Sequence, residues 1–249
     1  IFANYGSFLS AFDGENVNKT LVAAMWANRE ETEKLIEEMN LNTKSNEILN
    51  ATNTQAIFKD QKFYKDYTDK EYSWLEEACK HPKVVAIGEI GLDYYWNKDN
   101  KDLQKELFIK QIEIANRLNK PIVIHTRDAM IDTIAILKEH PVNKKGIFHC
   151  CPLNQELIKE GLKLGYYISF SGNITFKNAK AEPCVSLVPL DKILIETDCP
   201  YLSPEPNRGK RNDSRNVKYV AAKIAEIKEV SLEDIARITY ENANKIFEI

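Results

Sequence analysis

The chain has 249 residues, of which 43% are hydrophobic and 29% charged. Its formal net charge of −3 excludes a globally basic nucleic-acid-binding protein, so a polyanion would have to bind a local basic patch. No stretch approaches the roughly 18 apolar residues of a membrane span, and the five cysteines form no C-x-x-C pair. We therefore expect a cytoplasmic globular protein with reduced thiols, folded as a single domain over residues 1–249.

Strand-like and helix-like segments alternate along the chain. Strands are predicted at 1–6, 20–26, 47–54, 83–89, 121–126, 146–150, 166–171 and 192–198. Helices are predicted at 29–39, 70–80, 101–118, 128–139, 154–164, 175–183, 213–227 and 231–239, the last with a capping box that begins at Ser231.

This alternation indicates βαβ units and therefore a parallel sheet. The eight predicted strands favour a (β/α)8 TIM barrel, an α/β fold common near this length. The first βα unit is expected to be irregular, because only about thirteen residues separate the first two strands and Gly14 lies among them.

Four of the predicted strands lie in short stretches that open with Lys and close on a side chain that can bind a metal. They are KVVAIGE (83–89), KPIVIH (120–125), KGIFH (145–149) and KILIETD (192–198). In a parallel barrel the carboxyl ends of the strands converge on one face, and the alternation of side chains puts Glu89, His125, His149 and Asp198 on that face. Two imidazoles and two carboxylates suit one divalent ion such as Zn²⁺, Mn²⁺ or Mg²⁺. The alternative is structural: each carboxylate pairs with a basic neighbour and each histidine caps its strand.

Basic and aromatic side chains follow these strand ends. Arg208, Lys210 and Arg211 surround a glycine just after the eighth strand, and Arg127 follows the fifth. Guanidinium and ammonium groups beside a metal suggest phosphate binding, although a charged loop is often only solvated. The cluster Tyr94-Tyr95-Trp96 would either stack the bases of an unpaired strand or pack beneath its loop.

The motifs that carry these residues occur together and in a fixed order. They are GEIGLDYYW (88–96), PIVIHTRDA (121–129), FHC (148–150), GYYISFSGNITFKNAK (165–180), ETDCPYLSPEPNRGKRN (196–212) and ENANKIF (241–247). Over about residues 70–249 the chain resembles the TatD-type metal-dependent deoxyribonucleases. The resemblance implies an amidohydrolase-like barrel that binds one or two divalent ions and hydrolyses phosphodiesters, typically as a 3′–5′ exonuclease on single-stranded DNA in the cytoplasm.

The resemblance also implies roles for individual residues. Glu89 corresponds to the ligand that bridges two ions, and His125 and His149 correspond to ligands of the second ion. Asp198 corresponds to a ligand of the first ion that also handles a proton. Glu89 and Asp198 are thus the expected catalytic residues.

The N-terminal part departs from the family pattern. The family opens with an Asp-x-His-x-His strand end, and the matching positions here are Ala3, Tyr5 and Ser7. The family's His-Pro after the third strand is likewise replaced, around Phe58-Lys59. Since a methyl, a phenol and a hydroxyl do not replace two imidazoles, we predict one bound ion and reduced activity.

Three functions remain open from the sequence. The first is a TatD-like metal-dependent hydrolase of nucleic-acid phosphodiesters. The second is a catalytically inactive TatD-like binding or partner protein, favoured by the N-terminal losses. The third is a mononuclear enzyme that acts on a small amide or ester.

Overall fold

The computed structural model describes residues 75–76, 79, 84–95 and 98–249. The three strands and the helix predicted before residue 55, the irregular first βα unit, and Ala3, Tyr5, Ser7 and Trp96 lie outside these residues. The chain divides into two compact units, and within the described residues the boundary between them lies between Lys145 and Gly146. Among the described residues, no helix combines the length and the apolarity that crossing a membrane would require.

The first unit contains two parallel strands and two helices. These elements are β1 (Ile87–Asp93), α1 (Lys101–Arg117), β2 (Ile122–Arg127) and α2 (Met130–Glu139). β1 pairs with β2 in a register that shifts between Gly88 and Ile90, so Glu89 lies at a bulge inside the strand. The prediction that β1 ends at Glu89 is therefore wrong, because the strand continues for four more residues to Asp93.

Two glycines allow β1 to approach β2 closely on either side of Glu89. Gly91 has a φ of +135° and lies opposite His125, and an added Cβ would be 2.1 Å from the His125 carbonyl oxygen. A Cβ on Gly88 would be 2.4 Å from the Cβ of Val123. The motif G-E-I-G therefore meets a steric requirement of this strand pair, because only glycine fits at both positions.

The helices of the first unit are joined to the end of β1 by a polar network. The Tyr94 hydroxyl donates to Asp132 Oδ2 at 2.6 Å, and Lys105 Nζ lies 2.8 Å from the same oxygen. Hydrogen bonds lower the pKa of Asp132, and the bond from Lys105 contributes more than the bond from Tyr94. The loop that follows β1 is thus anchored to both α1 and α2.

The second unit contains three parallel strands. These are β3 (Gly146–Phe148), β4 (Tyr167–Phe170) and β5 (Ile193–Ile195), with β4 paired to both of the others. The helices are α3 (Gln155–Lys163), α4 (Ala181–Leu187), α5 (Val217–Lys228) and α6 (Leu232–Phe247), and short 3₁₀ turns occupy Gly172–Thr175, Leu190–Lys192 and Ser214–Asn216.

Two helices of this unit differ from their predicted bounds. The helix expected at 175–183 begins only at Ala181, because Pro183 is tolerated in a first turn but not in a helix interior. α6 continues to Phe247 rather than ending near 239, with a buried face that extends from Ile235 through Ile246. The Ser231 cap is confirmed, since its hydroxyl accepts the Asp234 N–H at 3.0 Å.

The fold class predicted from the sequence is confirmed. The predicted fourth to eighth strands are all present, the strand pairs within each unit are parallel, and helices alternate with strands. The strands are almost completely buried, as expected for parallel strands that are covered on both faces. Polar side chains at their carboxyl ends are therefore exceptions that require a chemical reason.

Candidate metal centre

In the first unit, His125 lies between two carboxylates that both come from β1. Its Nε2 is 3.0 Å from Asp93 Oδ2, and its Nδ1 is 3.9 Å from Glu89 Oε2. An ionised carboxylate only accepts hydrogen bonds, so the close Asp93 contact places a proton on Nε2. The lone pair of a neutral imidazole is then on Nδ1, on the side of Glu89.

Asp93 is itself held in place by Gln104 on α1. The buried Gln104 side chain accepts the Asp93 N–H at 2.8 Å and donates to the Asp93 carbonyl at 3.1 Å. The other carboxylate oxygen of Asp93 accepts the Tyr95 N–H at 3.0 Å. These contacts fix the carboxylate that orients His125, so the imidazole has a defined direction before any ligand binds.

In the second unit, His149 has the same kind of surroundings. It directly follows β3, and its Nδ1 is 2.7 Å from Glu196 Oε1 while its Nε2 is 3.7 Å from Asp198 Oδ1. His149, Glu196 and Asp198 each offer a ligand atom, and these three atoms all lie within 4.8 Å of one another. Here the contact with Glu196 places the proton on Nδ1 and leaves Nε2 facing Asp198.

Glu196 is completely buried but remains ionised. Burial by itself raises the pKa of this carboxyl, but hydrogen bonds from the His149 ring, the Ser169 hydroxyl and the Cys150 N–H outweigh that effect and lower it. Ser169 on β4 donates its hydroxyl to Glu196 Oε2 at 2.6 Å. Since this serine contacts the carboxylate and not the imidazole, it is a structural donor and not an activated nucleophile.

The two longer distances indicate what this arrangement can bind. At 3.9 Å and 3.7 Å, the Glu89–His125 and Asp198–His149 atom pairs are too far apart for hydrogen bonds. Two atoms that are each about 2.1 Å from one ion lie about 3–4 Å apart, and nitrogen with carboxylate oxygen suits Zn²⁺ or Mn²⁺. Each pair therefore fits a divalent ion, with the imidazole fixed by a further carboxylate.

The predicted phosphate-binding residues are all exposed. The Arg127 guanidinium carbon lies 3.8 Å from the centre of the Tyr95 ring, and that of Arg208 lies 3.7 Å from the Phe176 ring. Lys210 and Arg211 follow Gly209, whose φ of +81° turns the loop. The structure thus presents four cations to solvent, two of them stacked on aromatic rings.

The basic loop is attached to the Asp198 strand end by buried amides. Asn212 Nδ2 donates to the carbonyls of Thr197 at 2.7 Å and Tyr201 at 2.6 Å. Its Oδ1 accepts from Asn216 Nδ2, and the Asn216 side chain in turn accepts from Asn207. The position of the cations relative to Asp198 is therefore set by side chains within this unit.

Sequence reasoning missed the roles of Asp93 and Glu196. Asp93 has the same strand parity as Glu89, but the strand was predicted to end too early to include it. Glu196 has the parity of Asp198 and precedes it by two residues, yet no role was assigned to it. The signal for both was present in the alternation of side chains along the strands.

The family described as TatD related DNase matches residues 26–248. The chain belongs to this family. It is 51% identical over 186 residues to the uncharacterized metal-dependent hydrolase YabD of Bacillus subtilis, a match that covers 74% of this chain and 73% of YabD. It is 47% identical over 177 residues to the uncharacterized metal-dependent hydrolase YcfH of Escherichia coli K12, covering 70% and 67%.

The fold is similar to a solved TatD homologue. The crystal structure of YJJV from E. coli K12 has a TM-score of 0.70 and 26% identity, and the match covers 74% of this chain and 73% of that one. The predicted TatD resemblance, barrel class and hydrolase class are confirmed by these matches. Residues 1–25 lie outside the family match, so the correspondence of Ala3, Tyr5 and Ser7 to the family's first strand stays a prediction.

Proposed function

We propose that this TatD-family hydrolase cleaves phosphodiesters of single-stranded DNA from the 3′ end, using one divalent ion held by Glu89, His125, His149 and Asp198. The observation that carries the proposal is that each histidine has one ring nitrogen against a buried carboxylate and the other 3.7–3.9 Å from a second carboxylate. Histidines that merely cap strands have no need for a second carboxylate at this spacing.

A divalent ion held by these four residues would lower the pKa of a water and offset charge on the phosphoryl oxygens. The protein provides the remaining functions. Asp198 has 18% of its side chain exposed, against 1% for Glu89, so its carboxylate is the one that can take a proton from an attacking water. Glu196 and Asp93 keep the two imidazoles in the tautomers that leave the ligand nitrogens unprotonated.

The exposed cations would hold the substrate backbone. Arg127, Arg208, Lys210 and Arg211 provide the positive charge that a molecule with a net charge of −3 lacks overall. Guanidinium groups match the geometry of phosphate oxygens, and the Gly209 turn lets the loop follow a backbone. These residues favour a polyanion over a small neutral amide or ester.

The cytoplasm is the proposed location. Cys79, Cys151 and Cys184 are buried thiols that form no disulfide bond. Free buried thiols are typical of a reducing compartment.

The test follows the length of a 5′-labelled single strand during incubation with Mn²⁺ or Mg²⁺. We expect progressive shortening from the 3′ end by the wild type and a loss of at least about 100-fold in Glu89→Ala. Glu113→Ala, an exposed glutamate on α1, is the matched control and should behave as wild type. Equal rates in wild type and Glu89→Ala would contradict the proposal, and metal-bound protein without hydrolysis would favour the inactive binding protein.

A further inference from the structure

Two adjacent tyrosines after β1 have opposite surroundings. Tyr94 is 6% exposed, and its hydroxyl donates to Asp132, so packing and hydrogen bonding account for it. Tyr95 is 49% exposed. A large aromatic ring half in water contributes little to a core, so burial does not account for Tyr95 as it does for Tyr94.

Tyr95 carries the guanidinium of Arg127 on the face of its ring, at 3.8 Å from guanidinium carbon to ring centre. A guanidinium stacked on a ring keeps its N–H donors at the edge of its plane, where they can bind a phosphate. The pair therefore offers a flat π surface and a positive charge at one place. Proteins use this combination to bind the bases and backbone of single-stranded nucleic acids.

The stack is firmly connected to the His125 half of the candidate metal centre. The Tyr95 N–H donates to Asp93 Oδ1, and Asp93 Oδ2 contacts His125 Nε2, each at 3.0 Å. The Tyr94 N–H donates to the Arg127 carbonyl at 2.9 Å, and Arg127 follows His125 by two residues on β2. A base on this stack would have a fixed distance from the ligands that Glu89 and His125 provide.

We propose that Tyr95 and Arg127 form a stacking subsite for one nucleobase of a single-stranded substrate, close to the phosphodiester that is cleaved. This inference rests on the proposed function and names the part of the substrate that this surface recognises. Because every base has a π face, the subsite tolerates any sequence. Bases in a duplex are already stacked and paired, so the subsite selects against double strands.

The first test is an abasic scan. The substrates are single-stranded oligonucleotides in which each of the last three 3′ nucleotides in turn lacks its base. We expect Tyr95→Ala to raise KM about ten-fold on the intact oligonucleotide with little change in kcat, and Tyr95→Phe to match wild type. One abasic position should raise the wild-type KM by a similar factor, and on that substrate Tyr95→Ala should add nothing further. A wild-type KM for Tyr95→Ala, or effects that multiply at all three positions, would overturn the inference.

Two further variants separate stacking from charge and from exposure. Arg127→Lys keeps the positive charge but loses the planar guanidinium that stacks on Tyr95. It should therefore raise KM on the intact oligonucleotide more than on the responsive abasic oligonucleotide. Tyr240→Ala removes another exposed tyrosine, on α6 and 39% exposed, and should leave KM unchanged. An equal loss in Tyr240→Ala would mean that exposed tyrosines act non-specifically.

A binding measurement distinguishes failure of this inference from failure of the proposed function. A phosphorothioate oligonucleotide with 2-aminopurine at the responsive position, or at each of the last three positions in turn if none responds, binds without turnover in Mn²⁺. We expect its fluorescence to be quenched by wild type and Tyr95→Phe but not by Tyr95→Ala. Quenching without hydrolysis of any oligonucleotide would refute the nuclease and keep the subsite. Hydrolysis with equal quenching by Tyr95→Ala would refute the subsite and keep the nuclease.

Discussion

The two units build the same local arrangement from different parts. In the first unit, β1 contributes both carboxylates and β2 the imidazole, and His125 presents Nδ1 towards Glu89. In the second, both carboxylates follow β5, the imidazole follows β3, and His149 presents Nε2 towards Asp198. The recurring element is a histidine with one ring nitrogen 2.7–3.0 Å from one carboxylate and the other 3.7–3.9 Å from a second, and not a sequence motif.

The two arrangements differ in how the orienting carboxylate is held. Asp93 depends on a helix, because the Gln104 amide holds its backbone from α1. Glu196 is held by β4, the strand between β3 and β5, because Ser169 on β4 donates directly to its carboxylate. The second arrangement is also more deeply buried, with His149 at 2% exposure against 13% for His125. Substitutions that disturb the second arrangement should therefore lower the unfolding free energy more than substitutions in the first.

The largest expected effect comes from Glu196→Ala. Removing the Glu196 carboxylate leaves two buried donors, the His149 Nδ1–H and the Ser169 hydroxyl, without their acceptor, which should cost about 2–6 kcal/mol of unfolding free energy and abolish activity. Urea unfolding measures the loss. Glu182→Ala, an exposed glutamate on α4, is the control and should change stability by less than about 0.5 kcal/mol. A loss below about 1 kcal/mol in Glu196→Ala would mean that the contact between Glu196 and His149 contributes little to the stability of the fold.

The next effect is on metal affinity in the first unit. Asp93→Asn retains the shape of the side chain but weakens the contact that fixes the His125 tautomer, so Mn²⁺ affinity should fall about 10–100-fold. Isothermal titration with Mn²⁺ measures this, with the exposed Asp99→Asn as the control. An unchanged Kd for Mn²⁺ would mean that Asp93 does not orient His125 for metal binding. The two arrangements would then differ in function.

A smaller effect is expected one residue further from the ligands. Gln104→Leu leaves the buried N–H and carbonyl of Asp93 without their partners, which should cost about 2 kcal/mol of stability. Its effect on Mn²⁺ affinity should be smaller than that of Asp93→Asn, because the carboxylate itself remains. Chemical denaturation and the same titration test the order, and a reversed order would show that Gln104 acts on the ligands by another route.

The smallest effect concerns pH and lies outside the candidate centre. The pKa of Asp132 is lowered in the folded protein by Lys105 and Tyr94, so its contribution to stability is present above its unfolded pKa of about 4 and is lost as pH falls through its lower folded pKa. Lys105→Met should reduce this acid-side dependence by less than about 1 kcal/mol, since the pair is partly exposed. Thermal unfolding between pH 6 and pH 2 measures it, and an unchanged slope would contradict the assignment.

Much of this arrangement could be predicted from the sequence. Short apolar runs that end in Glu, His or Asp indicated both the parallel strands and the four candidate ligands, because a charge at the end of a buried strand needs a chemical reason. The orienting residues were harder to find. The bulge at Glu89 moves the end of β1 to Asp93, and Gln104 reaches Asp93 across eleven residues through side-chain contacts that no periodicity encodes.

We propose that both arrangements serve one ion. Mn²⁺ binding should be measured by titration, together with elemental analysis, on wild type, His125→Ala and His149→Ala. We expect about one equivalent in the wild type and a large loss of affinity for that equivalent in each single variant. Two equivalents in the wild type, with each variant losing one and keeping the other at full affinity, would contradict it.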